Sequence, residues 1–178
     1  MILITGITGF VGSNLQKNLL LNGFGVQNLS LRNPNWINEI VHQVHAFIHL
    51  AGKAHDLKNV SSPDEYYFVN TELSKAVFDA FLSSKAKVFI TLSSVKAVAD
   101  DVDGELTEDV TPNPITHYGK SKLLAEQYIL SQLIPEGKRV YILRPCMIHG
   151  PGNKGNLNLL YSLVSKGLTW PLGLFENS

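Results

Sequence analysis

Three side chains are spaced so that together they could remove a proton from an alcohol while a hydride leaves its carbon. Tyr118 and Lys122 are four residues apart in a segment with helical periodicity, so both project from one face of a helix. Ser94 ends an apolar run that precedes them and would hydrogen-bond the same substrate oxygen. A phenol with its ordinary pKa of about 10 is a poor base, but an adjacent ammonium favours the phenolate. The structural alternatives are a strand-end cap for Ser94 and a packing role for Tyr118.

A glycine-rich turn near the N-terminus predicts a dinucleotide site. Its glycines lie between an apolar run and a helical segment. A glycine permits a tight turn off a strand, lets a pyrophosphate approach the backbone and lets a helix lie close to a sheet. The helix N-terminus then offers N–H groups and positive potential to the phosphates. A plain glycine-rich turn is the alternative. The predicted contacts in this turn are Gly6, Thr8, Gly9, Phe10, Val11 and Gly12.

The end of the second apolar run bears on which nicotinamide dinucleotide would bind. The acidic residue that would hold a ribose 2′-hydroxyl is missing there, and Ser30 and Arg32 stand near that place. A hydroxyl with a nearby guanidinium suits a 2′-phosphate better than a bare hydroxyl. The pair therefore favours NADP, with NAD left open and a solvated loop position as the alternative for Arg32.

The candidate catalytic side chains and the glycine turn must be positioned by the apolar runs and helical segments that alternate along the chain. Nearly continuous apolar runs are typical of parallel strands buried on both faces of a sheet. Their alternation with helices predicts an α/β fold, a Rossmann-like doubly wound parallel sheet with helices on both faces. Ligands bind such sheets beyond the carboxyl ends of the strands. The predicted strands are Ile2–Ile4, Val26–Leu31, Ala46–Leu50, Val88–Leu92 and Val140–Leu143, and the predicted helices begin near Val11, Val69 and Thr116.

The composition restricts the class of protein. The chain has 178 residues, 44% of them hydrophobic, which suits one globular domain rather than a disordered segment. Fifteen basic and fifteen acidic residues give zero net charge, so the chain has no electrostatic footprint for nucleic acid or an anionic membrane. No apolar run approaches the roughly 20 residues that span a bilayer, and no signal peptide is evident, so we expect a cytoplasmic protein.

The cysteine and histidine content argues against a metal site. The single cysteine, Cys146, excludes a disulfide framework and is expected to be a small buried side chain. The histidines show no metal-ligand grouping with carboxylates, so we expect no metal. His49 falls in a predicted strand and is expected to belong to the core, while His117, beside Tyr118, is either a substrate contact or a surface residue.

An ordered set of motifs resembles a known family. These motifs are TGITGFVG, HLAG, the Ser93-Ser94 strand end, LTEDVTPNPITHYGKSK and LRPCMIHGPG. They resemble the extended short-chain dehydrogenase/reductases and, more narrowly, the NAD-dependent epimerase/dehydratase family that acts on nucleotide sugars. The resemblance covers essentially the whole chain. It implies Ser94, Tyr118 and Lys122 as catalytic residues, with Lys122 also holding the nicotinamide ribose.

The resemblance also extends the predicted site. Dinucleotide contacts are expected along the groove after the third strand, on the helix asparagine and near the catalytic residues, and substrate contacts are expected around them. The added dinucleotide contacts are Leu50, Ala51, Gly52, Asn70, Ser93, Tyr118, Lys122 and Pro145, and the substrate contacts are Ser94, Lys96, His117, Tyr118 and Asn156.

The predicted function is that of a nucleotide-sugar oxidoreductase. Family dehydratases carry an Asp-Glu pair after the catalytic hydroxyl residue, whereas Val95-Lys96 stands here, which disfavours a dehydratase. The favoured activity is an NAD(P)-dependent C4 epimerase that forms a transient 4-keto sugar. An NADPH-dependent 4-keto-sugar reductase is the alternative within the same chemistry, and a non-catalytic NAD(P)-sensing module is the alternative from another class.

The resemblance also bears on domain organisation, because family members continue beyond the length of this chain. We expect residues 1–178 to form the NAD(P)-binding domain, with residues 150–178 as the start of a substrate-binding region whose remainder is absent. Such a chain is expected to bind cofactor but to turn over poorly. A homodimer is left open.

Overall fold

Five short parallel strands form the central sheet in the computed structural model of this chain. The structure describes residues 1–54, 62–102, 104–150, 152 and 156–167, without the side chains of residues 156–160. The strand order across the sheet is β2-β1-β3-β4-β5, and every neighbouring pair is parallel. The strands are β1 (Ile2–Thr5), β2 (Val26–Leu29), β3 (Ala46–His49), β4 (Val88–Leu92) and β5 (Arg139–Leu143).

Helical segments connect these strands. The helix α1 (Phe10–Leu21) follows β1, and α4 (His117–Ser131) lies between β4 and β5. Short 3-10 turns occupy Trp36–Glu39 and Val95–Ala97. Within the described segments, no helix is long and apolar enough to cross a membrane. The other helices are α2 (Pro63–Tyr66), α3 (Leu73–Ser83) and α5 (Asn156–Ser165).

The alternation of side chains along the strands builds two cores, one on each face of the sheet. Leu3, Phe47 and Phe89 point to the face covered by α3 and α4. Ile4 and Ile48, which come next in their strands, point to the opposite face, where α1 packs. The apolar character of consecutive strand residues therefore reflects burial on both sides, and the predicted doubly wound α/β fold is confirmed.

The segment predicted as one helix from Val69 onward is more complex. A π-helical turn, Tyr67–Glu72, joins α2 to α3. Each π-turn residue bonds five residues along rather than four, so the helix carries a local bulge, a feature that often marks functional sites. The bulge places Asn70 and Thr71, both buried, on the side that faces α4.

Two details differ from the sequence predictions. The second strand ends at Leu29 rather than Leu31, and both Ser30 and Arg32 are exposed in the turn that follows it. Cys146 is exposed, so the expectation of a buried thiol is wrong. It lies beyond the end of β5, in a stretch that is itself neither strand nor helix.

Candidate active site

The side chains of Ser94, Tyr118 and Lys122 meet at the carboxyl end of β4. Ser94 begins a 3-10 turn just beyond the strand, and its hydroxyl accepts a hydrogen bond from the backbone N–H of Lys96 at 3.2 Å. Tyr118 lies in the first turn of α4 and shares a hydrogen bond with the Ser94 side chain. Lys122 follows one turn later, and its Nζ donates to the carbonyl of Leu92 at 3.0 Å. One sheet edge thus brings all three together.

The surroundings of Tyr118 favour the neutral phenol. Burial raises the pKa of Tyr118 above its ordinary value, the hydrogen bond with Ser94 lowers it in part, and Tyr66 raises it. Tyr66 is buried and packs edge-on against Tyr118, with ring centroids 6.3 Å apart. Desolvation is the largest of these effects, so the pKa lies above its ordinary value, and the lowering expected from Lys122 with a cationic nicotinamide stays a prediction.

Lys122 is half-buried and keeps its charge at neutral pH. Burial lowers its pKa to about 8, and the Glu126 carboxylate, one turn further along α4, raises it. The lysine also faces the segment that follows β3. A Cβ atom added to Gly52 would lie 3.1 Å from Lys122 Nζ and 3.1 Å from Asn70 Oδ1. The end of β3 and the end of β4 therefore both border this ammonium group.

A network around Asp100 fixes the start of α4. Thr116 is the N-cap of the helix, and its hydroxyl accepts from Gly119 N at 3.1 Å. The Asp100 carboxylate accepts from Ile115 N at 2.7 Å, from Thr116 N at 3.0 Å and from the Thr116 hydroxyl at 3.1 Å. Desolvation raises the pKa of Asp100, but these hydrogen bonds, with a smaller contribution from Lys96, hold it below its usual range. The first turn of α4 is therefore anchored from the loop after β4.

The π-helical turn fixes the middle of the same helix. Asn70 donates to the Ser121 hydroxyl at 3.0 Å, and Thr71 donates to the Ser121 carbonyl at 2.8 Å. Ser121, which is fully buried, donates in turn to the carbonyl of Tyr118 at 2.8 Å. Asn70 also accepts from Lys53 N at 2.8 Å, just beyond Gly52. These contacts connect the segment after β3 to Ser121, the residue of α4 that lies between Tyr118 and Lys122.

The glycine turn brings three backbone segments into close contact. Gly6 has φ +72°, and a Cβ atom there would lie 2.5 Å from the backbone nitrogen of Ala51. A Cβ atom on Gly12 would lie 2.3 Å from the carbonyl oxygen of Gly6. Glycine is needed at both positions, since these neighbours are backbone atoms that cannot move aside cheaply. Helix α1 can therefore begin directly against the sheet edge between β1 and β3.

The start of α1 fits a dinucleotide pyrophosphate. Gly9 is the N-cap, the first turn contains no acidic residue, and among the described residues no side chain caps the helix. Backbone N–H groups at an uncapped helix start present positive potential to an anion. Gly9 and Thr8 are exposed, while Phe10 and Val11 are half-buried. The donor set and the small residues suit a phosphate group at the point where the strand order reverses between β1 and β3.

His49 belongs to a buried hydrogen-bond chain that the sequence did not reveal. Its Nδ1 lies 2.7 Å from the Thr5 hydroxyl and its Nε2 lies 2.9 Å from the Ser74 hydroxyl. Ser74 uses its hydrogen toward the carbonyl of Asn70 at 2.7 Å, so Nε2 carries the imidazole proton. Thr5 accepts from Ala51 N at 3.1 Å, which leaves its own hydrogen for Nδ1. Burial, with Lys122 nearby, lowers the pKa of His49 to about 3.

The remaining predicted contacts lie around this centre in different ways. His117 is exposed, and its Nδ1 lies 3.1 Å from the Tyr67 hydroxyl. Lys96 donates to the carbonyl of Asp100 at 2.7 Å. The side chain of Asn156 is outside the described residues. Leu50, Ala51 and Pro145 are half-buried, Gly52 is exposed, and Ser93 is buried directly after β4.

Some of the residues that shape the site carried no recognisable signal in the sequence. Gly119 allows α4 to approach the 3-10 turn, since a Cβ atom there would lie 2.2 Å from the Lys96 carbonyl oxygen. Asp100 and Glu126 act through partners that are distant in sequence. Gly119 alone could have been noticed, because a glycine inside a helix costs about 1 kcal/mol and so suggests a close contact. In the parts of the chain that the structure covers, no group of three potential metal ligands occurs.

Comparisons with known proteins agree with this geometry. The family model for the NAD dependent epimerase/dehydratase family matches residues 2–170. A UDP-glucose 4-epimerase of Vibrio cholerae is 32% identical over 97% of this chain and 59% of its own length. A UDP-2-acetamido-2,6-beta-L-arabino-hexul-4-ose reductase of Pseudomonas aeruginosa is 30% identical over 88% of this chain and 38% of its own length.

The solved structure of RMD from Pseudomonas aeruginosa, complexed with NADPH, superposes with a TM-score of 0.76 at 25% identity. The match covers 94% of this chain and 62% of that one. The present chain thus spans less than two thirds of the length of each of these relatives.

Proposed function

The chain belongs to the NAD-dependent epimerase/dehydratase family, and we propose that it is a nucleotide-sugar 4-epimerase that works through Ser94, Tyr118 and Lys122. The observation that carries the proposal is the convergence of these three side chains at the end of β4. The hydroxyl of Ser94 and the phenol of Tyr118 share a hydrogen bond, so one substrate oxygen can contact both. Lys122 adds a half-buried positive charge one helical turn away.

The dinucleotide is proposed to lie across the glycine turn and the segment after β3. The uncapped start of α1 receives the pyrophosphate, and Gly6 and Gly12 let the helix begin close to the sheet edge. Gly52 keeps the path to Lys122 open, because any larger residue would meet Lys122 Nζ. A bound nicotinamide dinucleotide supplies the hydride acceptor and, in the return step, the hydride donor.

Each residue then has a defined part in the reaction. As the phenolate, Tyr118 takes the proton from the sugar 4-hydroxyl while C4 loses a hydride, and the carbinol carbon becomes a ketone. Ser94 hydrogen-bonds the same oxygen and keeps it in line with Tyr118. Lys122, charged at neutral pH, stabilises the phenolate against the burial that raises its pKa. The 4-keto sugar then rotates within the site. Tyr118 returns the proton to the sugar oxygen while hydride arrives on the opposite face of the ring.

A 4-keto-sugar reductase is the second candidate. The Pseudomonas aeruginosa relative named as a 4-ulose reductase favours it, and so do Ser30 and Arg32, which suit a 2′-phosphate. Both residues are exposed after β2, where a ribose phosphate could reach them. The same three catalytic residues serve both reactions, since a reductase performs only the second half of the epimerase cycle.

A panel of nucleotide sugars separates these candidates. The protein is incubated with UDP-, GDP- and dTDP-hexoses and NAD, or with the corresponding 4-keto sugars and NADPH. We expect a 4-epimer by chromatography without a net change in absorbance at 340 nm. Stoichiometric consumption of NADPH would replace the epimerase with the reductase. Dinucleotide binding without turnover of any sugar would instead indicate a non-catalytic sensing module. Tighter binding of NADH than of NADPH would contradict the preference for NADP inferred from Ser30 and Arg32.

A further inference from the structure

A buried carboxylate with no part in the proposed reaction lies one turn beyond Lys122. Glu126 is on α4, and its side chain is only 3% exposed. Moving a carboxylate out of water is costly unless the charge is paired and hydrogen-bonded. The residues around Glu126 must therefore compensate its charge.

Arg144, the first residue after β5, provides this compensation. Its Nε lies 3.1 Å from each carboxylate oxygen of Glu126, and a terminal guanidinium nitrogen donates to one of them as well. Such a multiply bonded pair fixes the orientation of both side chains. The next residue, Pro145, accepts from Val95 N at 3.3 Å, so the segment after β5 is also tied to the loop that carries Ser94.

Glu126 faces Lys122 as well as Arg144. Glu126 and Lys122 line one small cavity, together with Ser93, whose buried hydroxyl has no hydrogen-bond partner in the described part of the chain. The π-turn and α3 contribute the uncharged Asn70 and Ser74 to the same cavity. The imidazole of His49, at the end of β3, is neutral. The Glu126 carboxylate forms its ion pair with Arg144, and its charge raises the pKa of Lys122 against the effect of burial.

We propose that Glu126 is a positioning residue that sets the electrostatic environment of the Lys122 ammonium from the next helical turn and couples it to the segment after β5 through Arg144. The proposal rests on the proposed function, in which Lys122 acts on the phenol of Tyr118. A shift of the Arg144 segment would change how much of the Glu126 charge Lys122 experiences. The chain thereby has a direct electrostatic connection between its catalytic lysine and the loop after β5.

Substitutions of Glu126 and of Arg144 are expected to shift the pKa of Lys122 in opposite directions. Glu126→Gln removes the negative charge and should lower the pKa of Lys122 by about one unit. Arg144→Gln leaves the carboxylate unpaired beside Lys122 and should raise that pKa. The measurement is a nitrogen-15 NMR titration of Lys122 Nζ, assigned by loss of its signal in Lys122→Met. Glu72→Gln, which removes an exposed carboxylate paired with Lys75, is the matched control and should leave the titration unchanged.

Turnover provides a second readout. In Glu126→Gln, the alkaline limb of the kcat profile should move to lower pH by the same amount, with activity regained as the pH is lowered. The positioning role would be overturned if the pKa of Lys122 shifted in the same direction in both variants, or if it shifted in neither. A loss of kcat that does not depend on pH would also overturn it. If Glu126→Gln does not fold, the titration of Arg144→Gln alone tests the proposal, and a pKa of Lys122 that does not rise would overturn it. The titration needs no substrate, so absent turnover by the wild-type protein rejects only the proposed function.

Discussion

At the scale of single residues, the site combines a phenol that resists ionisation with a lysine whose pKa is lowered but which stays charged at neutral pH. Burial causes both effects, because desolvation penalises the charged form of each group. The pattern of Tyr118 and Lys122 predicted their proximity correctly, since an i,i+4 spacing fixes a shared helix face. It could not predict these environments, which depend on Tyr66, Leu92 and Glu126, residues brought in by other parts of the fold or by the next turn.

The buried imidazole of His49 makes the stability of the fold depend on pH. Its pKa is about 3 in the folded protein against 6.5 in the unfolded chain, so only the unfolded chain gains a proton between these values. The His49 contribution to stability is therefore present above pH 6.5 and is lost as the pH falls toward 3, by at most about 5 kcal/mol.

His49→Gln tests this dependence. Between pH 6.5 and 3, the free energy of unfolding should fall less steeply in the variant than in the wild type, because glutamine does not titrate. Urea unfolding at several pH values measures it. His42→Gln, at an exposed position, is the control and should follow the wild-type curve. Parallel curves for wild type and His49→Gln would contradict the assigned neutral imidazole.

At the scale of elements, α4 is held at two levels before any ligand binds. Asp100 and Thr116 fix its first turn, and Asn70 and Thr71 fix its middle at Ser121. The sequence predicted α4 almost completely, because apolar periodicity and the following proline define it. The π-helical turn that docks on it was not predicted, since one inserted residue changes the hydrogen-bond pattern without leaving a clear mark on the apolar spacing.

Removing the Asp100 charge should displace Tyr118. In Asp100→Asn the side-chain amide cannot accept from all three donors of Ile115 and Thr116, so we expect a loss of about 1–3 kcal/mol in stability. We also expect kcat to fall while dinucleotide affinity holds, because the glycine turn is a separate element. Chemical denaturation and steady-state kinetics measure the two effects. Asp101→Asn, at the exposed neighbouring position, should change neither, and equal effects of both variants would contradict the anchoring role.

At the scale of the whole molecule, strand order decides where the site forms. The sequence predicted five parallel strands and therefore a doubly wound sheet, but not which strands are neighbours. The structure places β1 beside β3, so the glycine turn lies against Ala51, and it places β4 next to β3 with Ser94 just beyond its end. Contacts such as Glu126 with Arg144 cross from a helix to the end of a strand and depend on this packing, so no local pattern could reveal them.

The proposed mechanism depends most on Tyr118 as the group that exchanges the proton with the sugar. Tyr118→Phe removes the phenolic hydroxyl and keeps the ring that packs on Tyr66. We expect nucleotide-sugar turnover to fall by roughly 10²–10⁴-fold, with the Kd for the dinucleotide unchanged. Tyr141→Phe, on exposed β5, is the control and should retain the wild-type rate. Wild-type turnover by Tyr118→Phe would contradict the proposed mechanism.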